Sequence, residues 1–150
     1  MSVYDPILIK KAISETTFQM DKEKYLLPSL EKSSYRAVMT DLSKMDGRYI
    51  GVIYDIDQFS IIVTESEWIN NLAKKYPTKN IYGPIGIIRC RKENAPSGYL
   101  LELVSVLSPE GISVCVETPY TGDNIFVDYP DLEKAFNLLQ ELKIKYRKDK

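Results

Sequence analysis

Residues 85–142 read in order as strand, helix, strand, strand, helix, and that succession constrains the fold more than any other feature of the chain. IGIIRCRKE, 85–93, is a strand, and NAPSG after it is a loop. YLLELVSVLS is apolar almost all round, as a well-buried helix is, and Pro109 marks its stop. ISVCVET alternates: Ile112, Val114 and Val116 face one way, Ser113, Cys115 and Glu117 the other. NIFVDY is its hairpin partner. The last helix opens with Pro130, carries Asp131 and Glu133 in its first turn, and lines up Leu132, Ala135, Phe136, Leu139 and Leu142 on one face. A β-α-β-β-α order makes an α+β antiparallel sheet with two helices on one face, the ferredoxin-like arrangement, short of its fourth strand. The missing edge has to come from the N-terminal strands, from the short tail or from a second chain.

The first half is less regular. Pro6–Phe18 has a weak helical spacing in Ile7, Ile9 and Ile13, and residues 1–22 are expected to form an N-terminal extension. KYLLPSL, interrupted by Pro28, suits an edge strand. YRAVMTDL alternates and is expected to be a strand, followed by a hairpin turn at Asp46-Gly47. RYIGVIYD and FSIIVTE are strands around the acidic turn Asp55-Ile56-Asp57. A short helix is expected from Ser66 to Lys75, with Ser66 as cap and Trp68 and Leu72 four apart. Pro77 and the polar TKN divide the chain, so two lobes are expected at 23–80 and 81–150, sharing a sheet.

Composition narrows the function. Twenty basic residues against 21 acidic ones give a net charge of -1 over 150 residues, without the clustered positive excess that nucleic acid demands. The lysine-rich 143–150 tail reads as the solvated end of a helix, where lysine suits the negative end of the dipole. The chain contains no histidine, which excludes imidazole-based triads and histidine metal sites. Its two cysteines, Cys90 and Cys115, form neither a disulfide framework nor paired zinc spacing. The opening MSVYDPILIKK places acid and proline where a secretory signal has its apolar core, and nothing reaches membrane-spanning length. A cytoplasmic protein without metal or cofactor is expected, and not an enzyme: GPIG, 83–86, lacks the lysine and following helix of a phosphate loop, and Asp55 and Asp57 lie in an exposed turn.

The stretch LVSVLSPEGISVCVETPYTGDNIFVDYPDLEKAFNLL resembles the small bacterial ACT-domain proteins, related to the CASTOR arginine sensors. The family's pattern is a helix, a small loop, G-I-S, an apolar strand and S-T-[YF]-x-T-D, then an apolar strand and an acid-led helix. QFSIIVTESEW resembles the family's acid-flanked strand in the first half. The likeness runs from Tyr25 to Leu142, about four-fifths of the chain. It implies an ACT-type fold with two ACT-like lobes in tandem, a homodimer, and a small molecule, chiefly an amino acid, bound at a lobe or subunit junction. Two departures stand out. Glu117 replaces the family's serine, and the turn PYTGD is one residue longer, with Asp123 the match for the family's aspartate.

A free amino acid needs backbone N–H groups for its carboxylate and an anion with carbonyl oxygens for its ammonium. Ser97, as a cap, and Gly98, which admits close approach, supply a helix start for the first. Asp123, with Glu117, Thr118 and Asn124 at the end of the hairpin, supplies the second. Each has a plainer reading: Ser97-Gly98 as an ordinary cap and turn, Asp123 as hairpin-turn chemistry, Glu117 as a solvent-facing strand residue. The alternative for the whole chain is a ligand-free interaction module of the same fold, whose sheet edges join copies or a partner.

Overall fold

The computed structural model describes residues 5–45, 51–78, 80–92, 94–119 and 122–149. The Asp46-Gly47 turn and two residues of the 118–123 turn lie outside them. The chain divides into a terminal unit, Met1–Lys22 with Gly86–Lys150, and a central unit, Glu23–Ile85.

In the central unit, strand β1 (Thr17–Glu31, from residue 23 onward) leads through a 3-10 turn into helix α2 (Tyr35–Leu42). The hairpin β2 (Gly51–Tyr54) and β3 (Gln58–Thr64) follows. Next come α3 (Glu65–Glu67), running on into a π-helical turn at Trp68–Leu72, and β4 (Ile81–Arg91, up to residue 85). The strand order is β2-β3-β1-β4. Strand β3 runs antiparallel to both neighbours, with Tyr25 opposite Thr64 and Gly51 opposite Ile62. Ser29 N–H donates to Asn80 C=O at 2.9 Å, while an added Cβ on Gly83 would meet Tyr25 O, so β4 also runs against β1. This is a complete ferredoxin-like unit. Its helical face buries Leu26, Leu30, Phe59, Ile61 and Val63 under Val38, Leu42, Trp68 and Leu72.

YRAVMTDL is helix α2, not a strand. Its buried or half-buried Tyr35, Val38, Met39 and Leu42 stand at i, i+3, i+4 and i+7, a stripe that only a 3.6-residue period brings to one face. Pro28 lies not in an edge strand but between β3 and β4. The missing N–H removes one ladder donor, and pairs on both sides of it, Leu26 with Val63 and Ser29 with Ser60, hold the register. The helix expected from Ser66 is present, with Thr64 rather than Ser66 as its cap: Glu67 N–H donates to Thr64 Oγ1 at 3.2 Å.

The terminal unit has the same plan with a permuted chain. Helix α1 (Pro6–Glu15), capped by Asp5 Oδ1 accepting from the Ile7 and Leu8 N–H groups, leads into the first part of β1. Then come β4 from residue 86, α4 (Tyr99–Ser105), β5 (Val114–Glu117), β6 (Asp123–Asp128) and α5 (Leu132–Lys148). The order is β5-β6-β4-β1, so the fourth strand is the N-terminal segment Thr17–Lys22. An ion pair at 3.1 Å joins Asp21 on β1 to Arg89 on β4. Helices α1, α4 and α5 cover one face and bury Ile9, Ile13, Tyr99, Leu103, Leu139 and Leu142 with Ile88, Ile125 and Val127 of the sheet.

Helix α5 runs six residues past Leu142, to Lys148. Tyr146 continues its buried stripe four residues on, and Arg147 Nε donates to Ser14 C=O at 2.9 Å. Pro130 sits in the 3-10 turn Tyr129–Asp131 before α5. Helix α4 is shorter and less enclosed than its composition suggested, with Leu101 67% exposed. The architecture is α+β, two ferredoxin-like units, each an antiparallel sheet with helices on one face; they are not in simple tandem, because the central unit is inserted in the sequence of the terminal one.

Candidate functional site

The site begins at the C-terminal end of β4. Cys90 is buried there on the helical face, and the chain leaves the sheet into the loop that precedes α4. Among its described residues Asn94, at φ 52°, and Gly98, at φ 89°, have left-handed backbones. Gly98, not Ser97, is the N-cap of α4, and no side chain caps the helix; Ser97 is exposed. The sequence favoured serine for its oxygen, but the chain needs a positive φ at the cap, which glycine takes without a Cβ clash. Tyr99 N–H donates to Pro96 C=O at 3.1 Å and Glu102 N–H to Gly98 C=O at 3.0 Å, which closes the loop onto the helix.

The second side of the site is the start of β6. Gly122 has φ 142°, and a Cβ there would lie 2.5 Å from Cys90 O and 3.2 Å from Arg91 Cα. Glycine therefore lets the hairpin return pack directly on the end of β4. Gly122 N–H donates to Pro119 C=O at 3.1 Å, which joins the two described ends of the turn. The next residue, Asp123, is half-buried beside Cys90 and Tyr99. Burial raises the Asp123 carboxyl above its ordinary 3.8. Burial, with the Asp123 charge added, pushes the Cys90 thiol up to about 12. Burial also raises the Tyr99 phenol; its bond to Thr16 pulls the other way, and Cys90 and Asp123 add to the rise. The Asp123 carboxyl and the Tyr99 phenol thus lie within coulombic reach of each other inside the terminal unit.

The six residues singled out from sequence do not share one surface. Strand alternation puts Asp123 with Ile125 and Val127 on the helical side. Asn124, buried, points to the other face, and so does Glu117, its cross-strand partner. Thr118 is exposed at the end of β5. Asp123 therefore lies on the helical side of the sheet, and Glu117 with Asn124 on the opposite one. Sequence reasoning missed Thr16 and Tyr99. Thr16 Oγ1 and Tyr99 OH meet at 2.8 Å, 83 positions apart, with both residues buried. A polar residue at the end of an apolar helix was the one local signal for Thr16.

The central unit has a cleft of about 630 Å³ at the corresponding strand ends, lined among others by Ser29, Glu31, Asp57, Gln58, Thr78 and Asn80. Asp55 and Asp57 of its turn are exposed. A smaller cleft of about 330 Å³ lies on the helical side, where Lys75, Lys44 and Tyr76 surround Asp41. Among the described residues no group of three Cys, Asp or Glu side chains is placed to hold a metal, and no helix is long and apolar enough to cross a membrane.

No family model and no curated protein matches the sequence. Solved structures do match in fold. A Vibrio cholerae protein of unknown function, described as a possible transport protein, superposes with a TM-score of 0.68 at 14% identity, covering 90% of this chain and 95% of that one. An Agobacterium tumefaciens protein matches at 0.64 and 19% identity, over 85% and 89%. The ligand-free regulatory subunit of aspartate kinase from Thermus thermophilus matches at 0.60 and 8% identity, over 84% and 97%. Identities this low carry the fold alone, and that fold is the ACT-type one.

Proposed function

We propose that this chain is a non-catalytic regulatory protein that binds a small molecule, most simply a free amino acid, at the end of β4 in the terminal unit. The observation that carries the reading is that the half-buried Asp123 carboxyl lies within coulombic reach of the side chain of Tyr99, the first residue of α4, so that an anion and a helix start belong to the same region of the unit. The shared fold with a regulatory subunit of aspartate kinase supports it. Ser97 and Gly98 take the ligand carboxylate, Asp123 takes the ammonium, and Thr118 lines the exposed rim. Glu117 and Asn124 hold the hairpin from the other face. The protein acts as a homodimer in the cytoplasm and passes its ligand state to a partner.

A thermal-shift panel of the twenty amino acids tests this. At a hundred times its dissociation constant, a true ligand stabilises the native state by about 2.7 kcal/mol. Asp123→Asn removes that shift. It does so without loss of intrinsic stability, because folding around a carboxyl with a raised pKa is penalised once the pH exceeds the ordinary 3.8. The unliganded variant melts at or above the wild type at pH 7. A panel that leaves the melting temperature unmoved throughout sinks the sensor reading. The other reading, a ligand-free interaction module, draws on Val52, Ile53 and Tyr54 of β2, exposed along a sheet edge of the central unit. It predicts a flat panel together with self-association in light scattering.

A further inference from the structure

The loop before α4 is gripped from a distant part of the sequence at both of its ends. At the near end, Lys92 Nζ meets Glu15 Oε2 at 2.9 Å. At the far end, the Tyr99 hydroxyl meets Thr16 Oγ1 at 2.8 Å. Glu15 and Thr16 are consecutive residues at the corner where α1 turns into β1. The same corner is tied to α5, through the Arg147 Nε donation to Ser14 C=O. The buried contact has a defined proton order. Thr16 Oγ1 donates its one proton to Ala12 C=O at 2.9 Å, so Tyr99 must donate to Thr16. The Thr16 hydroxyl has no other proton to give, and Tyr99, 1% exposed, is shut off from bulk solvent.

We propose that this corner is a two-point strap on residues 94–98, and that Glu15 and Thr16 are positioning residues for the candidate site. The strap holds the left-handed Asn94 and Gly98 backbones in the shape that presents the loop to Asp123. Occupancy of the loop and docking of α1 are then coupled, each strengthening the other by the same factor. The ligand side of this statement rests on the amino-acid reading above; the strap itself does not.

Amide hydrogen exchange on the unliganded full chain decides the matter independently of any ligand. The readout is the pair of amides that close the loop, Tyr99 and Glu102, with Leu107 and Ile112, beyond the far end of α4, as controls. Thr16→Val keeps the shape and leaves a buried phenol O–H without an acceptor, so the two loop amides exchange about tenfold faster while the controls hold. Thr16→Ser restores wild-type rates. Tyr99→Phe has a smaller effect, because Thr16 keeps its bond to Ala12. Glu15→Gln, on an exposed side chain, folds normally and speeds the same amides by a few-fold, and high salt does this to the wild type. Unchanged rates at Tyr99 and Glu102 in both Glu15→Gln and Thr16→Val overturn the proposal, as does an acceleration that Ser fails to reverse. Should Thr16→Val not fold, Glu15→Gln and Tyr99→Phe carry the same test. A strap that holds while no amino acid binds would leave the proposal standing and remove only the ligand reading.

Discussion

Asp41 shows how much one half-buried carboxylate can be held by its neighbours. Lys75 at 3.0 Å, Lys44 at 3.1 Å and the Tyr76 hydroxyl at 3.0 Å pull its carboxyl from 3.8 down to about 2. The folded state binds this proton less tightly than the unfolded chain, so the contribution is fully present above pH 3.8 and is lost as the pH falls through about 2. Asp41→Asn is therefore expected to lower the melting temperature at pH 7, with the difference closing as the titration approaches pH 2. A gap that persists unchanged at acid pH would assign the loss to packing instead. The cysteines separate on the same logic. Cys90 is buried with its thiol pushed up to about 12, whereas Cys115 is exposed on β5. A thiol reagent at pH 8 should label one cysteine per native chain, at Cys115, and two in denaturant.

Among the elements, the β5–β6 hairpin is the one whose return is set by a single residue. Gly122 packs a hydrogen where any side chain would strike the Cys90 carbonyl, in a backbone conformation that L-residues avoid. Gly122→Ala should cost at least about 2 kcal/mol in chemical denaturation, combining backbone strain with a forced shift of the β4 end. It should also move Asp123 and weaken any amino-acid response. Elements were unevenly legible in the sequence. Strands β3, β4 and β6 announced themselves as apolar runs, and α5 by its period and acidic start. Helix α2 was misread because Tyr35, Ala37 and Met39 alternate while Val38 and Leu42 carry the helical stripe. In eight residues both periods fit, and only the burial of Val38 and Leu42 distinguishes them. The Gly98 cap was hidden for a related reason: composition favours Ser97, but the backbone angle decides.

For the whole molecule, the decisive fact is that the N-terminal 22 residues belong to the unit formed by the C-terminal half. Ile9, Ile13 and Phe18 lie in that unit's core. Burial of three such side chains is worth on the order of 5–9 kcal/mol, comparable with the ~5–15 kcal/mol net stability of a typical domain. Deleting residues 1–22 should leave a chain with helical far-ultraviolet dichroism but exposed apolar surface, seen as dye binding and loss of a cooperative transition. Wild-type-like cooperative unfolding of the truncated chain would show that the segment is dispensable.

The residue order alone determined the α+β class, the β-α-β-β-α succession, the absence of imidazole chemistry and the need for a fourth strand, because these follow from local periodicity and from which side chains exist. Only the tertiary structure decided who supplies that strand, that Tyr99 and Asp123 come within electrostatic reach, that Glu117 and Asn124 face away from Asp123, and that Thr16 reaches Tyr99. Strand supply and hydroxyl pairing are contacts between residues tens of positions apart, selected by the burial of a shared core, and no local pattern in the chain encodes the partner of a distant residue.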